Sequence, residues 1–218
     1  MSSPEPGAAP RSFAVCLSGG SGSLYGRRLV EVLLQSGHTV HLCATDAALR
    51  VLKHEEGEEF DGSAPDLARL FDQSIRPNLR VHSLDAVEAA PASGSAQIAA
   101  TIVVPCSMGT LARVAHGFSS NLVERSADVA IKEGRALVLV PRETPLSEVH
   151  LENMLKLARM GVVVLPAMPG FYHRPKTIAD LVDFVVGKIL DRIGVAHSLV
   201  ARWQTPAASS PWDEGEVQ

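Results

Sequence analysis

The sequence has few cysteines, no long apolar run and no metal-binding motif. Its three cysteines, Cys16, Cys43 and Cys106, are an odd number without zinc spacing, and each lies in or at the end of an apolar run. This usage predicts buried, reduced thiols in a cytoplasmic protein rather than a disulfide framework. No stretch approaches the roughly 20 apolar residues that a membrane span needs. The histidines and carboxylates show neither a zinc nor a calcium pattern, so we expect no bound metal.

The chain also lacks a strong excess of charge of either sign. Its net charge is −4, and its lysines and arginines are dispersed, which argues against a nucleic acid partner. Residues 1–11 have no segment of the kind found in signal peptides, so we expect a flexible lead there. Residues 204–218 are polar and rich in proline and serine, which predicts a loose tail. Between them, a chain with 46% hydrophobic residues has enough apolar material for one α/β domain over 12–203.

Runs with the apolar pattern of strands alternate with stretches that have helical spacing. Gly37 ends the first predicted helix, and Thr45 and Asp46 supply an N-cap for the second. This alternation, repeated about six times, predicts a doubly wound parallel sheet in a single domain. The predicted strands are 12–17, 38–44, 80–83, 102–105, 137–140 and 162–165, and the predicted helices are 24–35, 47–53, 65–73, 111–116, 121–132, 147–160 and 177–193.

Small, hydroxyl and charged residues follow four of the predicted strands, at 18–23, 45–46, 107–110 and 141–145. The carboxyl ends of parallel strands meet at one edge of a sheet, where such folds bind ligands. In the first of these turns, glycines would let a ligand approach the N-terminus of the next helix. Tyr25 occupies the position of the third glycine of a dinucleotide fingerprint. The turn therefore favours a phosphate over NAD, with a turn that binds nothing as the alternative.

Further segments carry polar groups that suit binding or chemistry. Arg142 could clamp a phosphate and Glu143 could exchange a proton, although a surface ion pair would explain the same residues. The charges of 121–133 run along one side of a helix, as in helix-stabilising pairs. Tyr172, after a proline-rich turn, is either a ligand contact or part of the core. The acidic run 55–59 is expected to be a solvated face.

Six blocks of the sequence together resemble the UbiX-type flavin prenyltransferases, in order and with similar spacing over 12–203. They are 18–22, 91–95, 105–111, 121–129, 139–145 and 166–175. The resemblance implies a three-layer, Rossmann-like and flavodoxin-like fold and a metal-independent enzyme. Its activity would join a dimethylallyl group from dimethylallyl monophosphate to N5 and C6 of reduced FMN. The product, prenylated FMN, would serve a UbiD-type decarboxylase, and the family commonly forms a dodecamer with its site at a subunit junction.

The resemblance also implies roles for residues at matching positions. Ser21, Lys132 and Glu143 would take part in the reaction, with Glu143 moving protons beside the donor phosphate. FMN would be bound by Gly19, Gly20, Ser21, Thr45, Ser107, Met108, Thr110 and Arg125. Dimethylallyl monophosphate would be bound by Ser93, Gly94, Lys132, Arg142, Glu143, Tyr172, Lys188 and Trp203.

Some positions depart from the family pattern. Lys188 stands where relatives usually have arginine, which replaces a forked phosphate clamp with a point charge and could weaken donor binding. Gly20 stands where alanine is usual.

Two alternatives stay open beside the prenyltransferase. One is an FMN-dependent decarboxylase of the same fold, whose PxMNxxMW-like block is replaced here by the sequence of 166–171, and the other is a flavin-binding subunit without catalysis.

Overall fold

The computed structural model describes residues 9–57 and 64–200. The greater part of the predicted lead, the end of the acidic run and the predicted tail lie outside the described residues. Trp203, which the family resemblance assigns to the donor site, lies outside them as well.

Six parallel strands form one sheet in the order β3-β2-β1-β4-β5-β6. This is the strand order of the doubly wound folds, so the predicted fold class is confirmed, and the order reverses between β1 and β4. Ligands of such sheets bind at this switch point. The strands are β1 Ser12–Leu17, β2 Thr39–Ala44, β3 Leu79–Val81, β4 Ile98–Cys106, β5 Ala136–Pro141 and β6 Val163–Val164.

The described helices cover both faces of the sheet. They are α1 Ser23–Gln35, α2 Asp46–Glu56, α3 Ala64–Leu67, α4 Met108–Ala115, α5 Leu122–Lys132, α6 Glu148–Arg159 and α7 Ile178–Arg192. The helix predicted over 65–73 is shorter, because α3 passes into a 3₁₀ turn at Ala68–Leu70. The strand predicted over 102–105 is longer, since β4 pairs with β1 from Ile98 onward. No described helix is long and apolar enough to cross a bilayer.

Alternate residues of the strands pack into two separate apolar layers. Phe13, Val15 and Leu17 of β1 face α1 and α7, within a core that contains Leu29 and Ile189. The opposite face of the sheet packs against α4 and α5 and contains all three cysteines, which are free and buried as predicted. Two helical layers around one sheet give the three-layer architecture.

The strand register fixes which turns lie together. Leu17 is beside Ala44, and Cys106 is beside Pro141, so the turns after β1, β2, β4 and β5 share the carboxyl edge of the sheet. This confirms the predicted convergence of those turns. At the opposite, amino edge, Ala100 near the start of β4 is beside Ala136 at the start of β5. The segments that lead into β4 and β5 therefore lie at the other end of the sheet.

Candidate active site

Hydrogen bonds join the turns after β1 and β4 at the switch point. Ser18 is buried, and its hydroxyl donates to the carbonyl of Pro105 over 3.1 Å. The Ser107 N–H in turn donates to the Ser18 hydroxyl over 2.8 Å. A buried hydroxyl that both donates and accepts holds the two turns in a fixed relation. Ser18 therefore ties together the two turns that form the floor of the carboxyl edge.

The N-terminus of α4 faces this edge. Ser107 is its N-cap, accepting from the Thr110 N–H at 3.3 Å and donating to the Thr110 hydroxyl at 3.1 Å. The side chain of Met108 is buried in the core, so only its backbone can meet a ligand. Apart from the chain neighbours of Gly109 and the backbone of its own helix, no described heavy atom lies within 4 Å of the position that a Cβ would take at Gly109, so the space beside the first turn is open. First-turn N–H groups beside such a space form a seat for an anion such as a phosphate.

Gly19 and Gly20 differ in what surrounds them. A Cβ on Gly19 would lie 2.6 Å from the Cβ of Ala47 at the start of α2, so the close approach of the turn to α2 requires glycine. A Cβ on Gly20 would meet Pro105 at 3.4 Å and Ser107 at 3.5 Å, which are ordinary contacts. The turn therefore has room for the alanine that is usual at position 20 in the family. Thr45 caps α2 by accepting from the Ala48 N–H at 3.1 Å.

Glu55, at the end of α2, binds the turn between β1 and α1. Its carboxylate accepts the Gly22 N–H at 3.0 Å and both the N–H and the hydroxyl of Ser23 at 2.9 Å. Burial alone would raise the pKa of Glu55, but hydrogen bonds from Ser21, Ser23 and Gly22 hold that pKa below its usual value. The expectation that the acidic run is only a solvated face is therefore wrong at Glu55. A carboxylate already lies at the N-terminus of α1, where the sequence suggested a phosphate.

Sequence reasoning missed Glu55 because its partners lie 32 and 33 residues away in the chain. Within the sequence it is one acid among several, with no spacing that links it to a glycine-rich turn. The predicted helix stops at residue 53, whereas α2 continues to Glu56 and therefore has Glu55 in its last turn.

The turn after β5 contacts the turn after β1. The guanidinium Nε of Arg142 donates to the Ser21 carbonyl over 3.2 Å. Burial raises the pKa of Tyr25, and the charge of Arg142 acts in the opposite direction. The Glu143 carboxylate accepts the N–H of Thr144 at 3.0 Å. Arg142 and Glu143 line a cavity of about 110 Å³ together with Pro166 and Met168.

A second cavity, of about 450 Å³, adjoins the first through Pro166 and Met168. Lys188 lines it, with its ammonium 5.6 Å from the ring centroid of Phe184. The ring of Phe184 also contacts Tyr172 edge-on, at 5.7 Å between ring centroids. Tyr172 is more than half exposed, so it is not a core residue. Tyr172 and Lys188 thus share one aromatic neighbour beside this cavity.

The remaining predicted site residues lie on α5 and the segment before β4. Arg125 Nε donates to the Ala92 carbonyl at 3.3 Å, and Arg125 also pairs with Asp128. The space beside Gly94 contains Lys132, whose ammonium would be 3.5 Å from a Cβ at that glycine. We call Ser93, Gly94, Arg125 and Lys132 the α5 surface. We call Gly19, Gly20, Ser21, Thr45, Ser107, Met108, Thr110, Arg142 and Glu143 the edge site.

The α5 surface and the edge site lie toward opposite ends of the sheet. Lys132 and Gly94 precede the starts of β5 and β4, whereas Ser107 follows the end of β4. From Ala100, beside the start of β5, to Cys106 is six residues, or about 20 Å of strand. The α5 surface and the edge site are therefore two separate groups within one chain, and Tyr172 and Lys188 form a third around Phe184. Among the described residues, no group of three or more histidine, cysteine or acidic side chains is arranged to hold a metal ion.

Comparison with known proteins gives matches over most of the chain. The model of the Flavoprotein family matches residues 2–190. The flavin prenyltransferase UbiX of Alkalihalophilus pseudofirmus is 51% identical over 191 residues, which cover 88% of this chain and 95% of the relative. The structure of AnUbiX in complex with FMN and dimethylallyl pyrophosphate matches with a TM-score of 0.79 and 37% identity, covering 90% of this chain and 99% of that one.

A second solved structure is a dodecameric FMN-dependent UbiX-like decarboxylase from Escherichia coli. It matches with a TM-score of 0.78 and 41% identity, covering 89% of this chain and all of the other. These likenesses confirm the resemblance carried by the six sequence blocks. The chain belongs to the Flavoprotein family and, within it, to the UbiX-type flavin prenyltransferases.

Proposed function

We propose that the chain transfers a dimethylallyl group from dimethylallyl monophosphate to N5 and C6 of reduced FMN. The product would be prenylated FMN, for use by a UbiD-type decarboxylase. The main support for the roles given to these residues is the hydrogen bond from Arg142 to the Ser21 carbonyl. It joins the cationic turn after β5 to the turn that is expected beneath the flavin ring. The three buried, free cysteines fit a reducing compartment, so we assign the enzyme to the cytoplasm.

The FMN phosphate would bind at α4 rather than at α1. Glu55 already meets the N–H groups of Gly22 and Ser23 at the start of α1, and a phosphate there would face a carboxylate. The N-terminus of α4 has no acidic residue in its first turn, and the space beside Gly109 in that turn is open. Ser107 and Thr110 would then hold the phosphate, while Gly19, Gly20, Ser21 and Thr45 would contact the rest of the nucleotide.

The donor would lie beside the turn that follows β5. Reduced FMN supplies the two nucleophilic atoms, and the chain must stabilise charge as the allylic carbon leaves its phosphate. Arg142 and Lys188 would stabilise the departing phosphate, and Tyr172 would offer an aromatic face to the positive prenyl group. Glu143 lines the cavity beside Arg142, where it would move protons alongside the phosphate.

The complete site would need residues from more than one copy of the chain. Ser93, Gly94 and Lys132 precede strands whose far ends carry the edge site, about 20 Å away along the sheet. A second copy that laid its α5 surface over the edge site would supply Lys132 to the phosphate and Arg125 to the flavin. Such a shared site is consistent with a dodecamer, the assembly named for the Escherichia coli relative.

Two alternative functions can be distinguished from the prenyltransferase by one experiment. An FMN-dependent decarboxylase of this fold, or a flavin-binding subunit without catalysis, would bind FMN without attaching a prenyl group. The purified protein should be mixed with reduced FMN and dimethylallyl monophosphate, and the flavin analysed by mass spectrometry. We expect a flavin with one added five-carbon unit. FMN binding without this mass would refute the proposed function.

Glu143→Gln tests the role assigned to that carboxylate. The amide keeps the shape of the side chain but cannot accept and return a proton. We expect normal FMN affinity and a product formation rate lower by a factor of about 100 or more, within the range of general acid–base effects. An unchanged rate would remove Glu143 from the reaction.

A further inference from the structure

The turn at 92–95, within the α5 surface, is held by side chains on two sides. Arg125 donates to the Ala92 carbonyl, and Arg135, in the turn between α5 and β5, donates to the Gly94 carbonyl. Inside the turn, the Ser95 N–H donates to the Ser93 hydroxyl over 3.3 Å. Two guanidinium groups therefore bind carbonyls two residues apart in one short turn. Arg125 belongs to the predicted site, but Arg135 does not.

Gly94 leaves a space that Glu133 fills. A Cβ on Gly94 would collide with the Oε1 atom of Glu133. The same Oε1 atom lies 3.4 Å from the ammonium of Lys132. The glycine thus allows a carboxylate to lie against the turn and to pair with the lysine beside it. Neither Glu133 nor Arg135 has a role implied by the family resemblance.

We infer that Arg135 and Glu133 are positioning residues for the prenyl donor. Arg135 fixes the Ser93–Gly94 turn, which would flank the prenyl chain, and Glu133 orients the Lys132 ammonium, which would bind the donor phosphate. Both act through groups that touch the donor rather than by touching it. This inference rests on the proposed function, because it assigns these two residues to the same shared site.

The exposure of the pair makes the inference testable. The side chains of Lys132 and Glu133 are 49% and 36% exposed in the single chain. An exposed ion pair contributes little to folding stability, so its variants are expected to fold. Loss of the Lys132–Glu133 ion pair should instead affect donor binding. A second copy of the chain that covered the pair would exclude water and strengthen the attraction between the two side chains.

The experiment compares Arg135→Lys, Arg135→Ala and Glu133→Gln with the wild type. Product formation is measured at saturating reduced FMN while dimethylallyl monophosphate is varied. We expect the donor KM to rise about tenfold for Arg135→Ala and about threefold for Glu133→Gln, as for loss of charge-assisted hydrogen bonds. Arg159→Ala and Glu152→Gln, at exposed positions of α6, serve as matched controls and should leave the donor KM unchanged.

A second readout separates positioning from a general structural role. A looser Ser93–Gly94 turn should reduce discrimination between dimethylallyl and geranyl monophosphate in Arg135→Ala, while the melting temperature and FMN affinity stay at wild-type values. Arg135→Lys, which keeps a cation beside the Gly94 carbonyl, should raise the donor KM less than removal of the charge does. Glu133→Gln decides the question if Arg135→Ala does not fold.

The possible outcomes are distinct. A raised donor KM with unchanged FMN affinity and melting temperature supports the inference. An unchanged donor KM, or a shift of all three quantities together, overturns it and leaves the proposed function intact. If the wild type forms no prenylated flavin, the proposed function itself fails, and the inference fails with it.

Discussion

Replacing Glu55 with glutamine removes the negative charge that meets the turn between β1 and α1. The Oε2 atom accepts the N–H and the hydroxyl of Ser23, and both carboxylate oxygens accept the Gly22 N–H. A glutamine amide can keep the contacts of one oxygen only, since its nitrogen would face the Gly22 N–H as a second donor. The turn would therefore be held by fewer and weaker hydrogen bonds.

The size of the effect follows from these contacts. A hydrogen bond to a charged group contributes about 1.5–3 kcal/mol, and a neutral one contributes about 1 kcal/mol. Glu55 is exposed, so solvent screens much of this difference. A loss of about 1–2 kcal/mol in the free energy of unfolding remains, including the interaction with the positive end of α1. For a chain of this length, that loss lowers the melting temperature by about 2–8 °C.

The assay compares the melting temperatures of wild type, Glu55→Gln and the control Glu152→Gln at one protein concentration, because assembly also affects stability. The pKa of Glu55 is lowered in the folded chain, so its contribution is present above its ordinary pKa of 4.5 and is lost as the pH falls further. The deficit of Glu55→Gln should therefore be full at pH 7 and shrink below pH 4.5. Equal melting temperatures at pH 7, or a deficit that does not change down to pH 3, would refute this reasoning.

Further predictions concern the glycines, a histidine pair and the donor site. Gly20→Ala should fold and bind FMN normally. Gly19→Ala should weaken FMN binding and lower the melting temperature, because its Cβ would collide with α2. Equal FMN affinities of the two variants would contradict this. Burial and the charges of His82 and Arg80 lower the pKa of His41 to about 4, so the free energy of unfolding should fall as the pH drops from 6.5 toward 4. Denaturant titrations of His41→Gln should show a smaller slope over this range, with the remainder due to His38 and His82, whose pKa values burial also lowers, and an unchanged slope would contradict this. Lys188→Arg should bind dimethylallyl monophosphate more tightly, because a forked guanidinium replaces a point charge, and an unchanged donor affinity would make this substitution incidental.

The sheet and the N-cap at Thr45 could be predicted because their causes are local. Continuous apolar runs mark strands that are covered on both faces, and Thr45 caps α2 as hydroxyl residues do after a strand. The helix predicted over 111–116 instead begins at Met108, with Ser107 as its N-cap. Strand ends were harder to predict. β6 spans only Val163–Val164, although the N–H groups of Leu165 and Ala167 still donate to carbonyls of β5 beyond its end.

Long-range side-chain contacts could not be predicted from the sequence. Glu55 reaches the turn between β1 and α1 only because the length of α2 places it there. Glu133 and Arg135 contact Gly94 across about 40 residues of sequence. The family resemblance identified candidate residues without saying where each lies in a single chain. Lys132 and Glu143 appear as members of one site in the sequence, but the topology separates them along the sheet.

Mixed assemblies of two variants test whether one active site combines the edge site of one copy with the α5 surface of another. Lys132→Ala and Glu143→Gln, each nearly inactive alone, should be produced together in one cell and purified as mixed assemblies. Random mixing gives about one site in four with both parts intact, so about a quarter of wild-type prenylated FMN formation is expected. Product no greater than the mean of the two separate variants would contradict the claim and assign Lys132 and Glu143 to a site within a single chain.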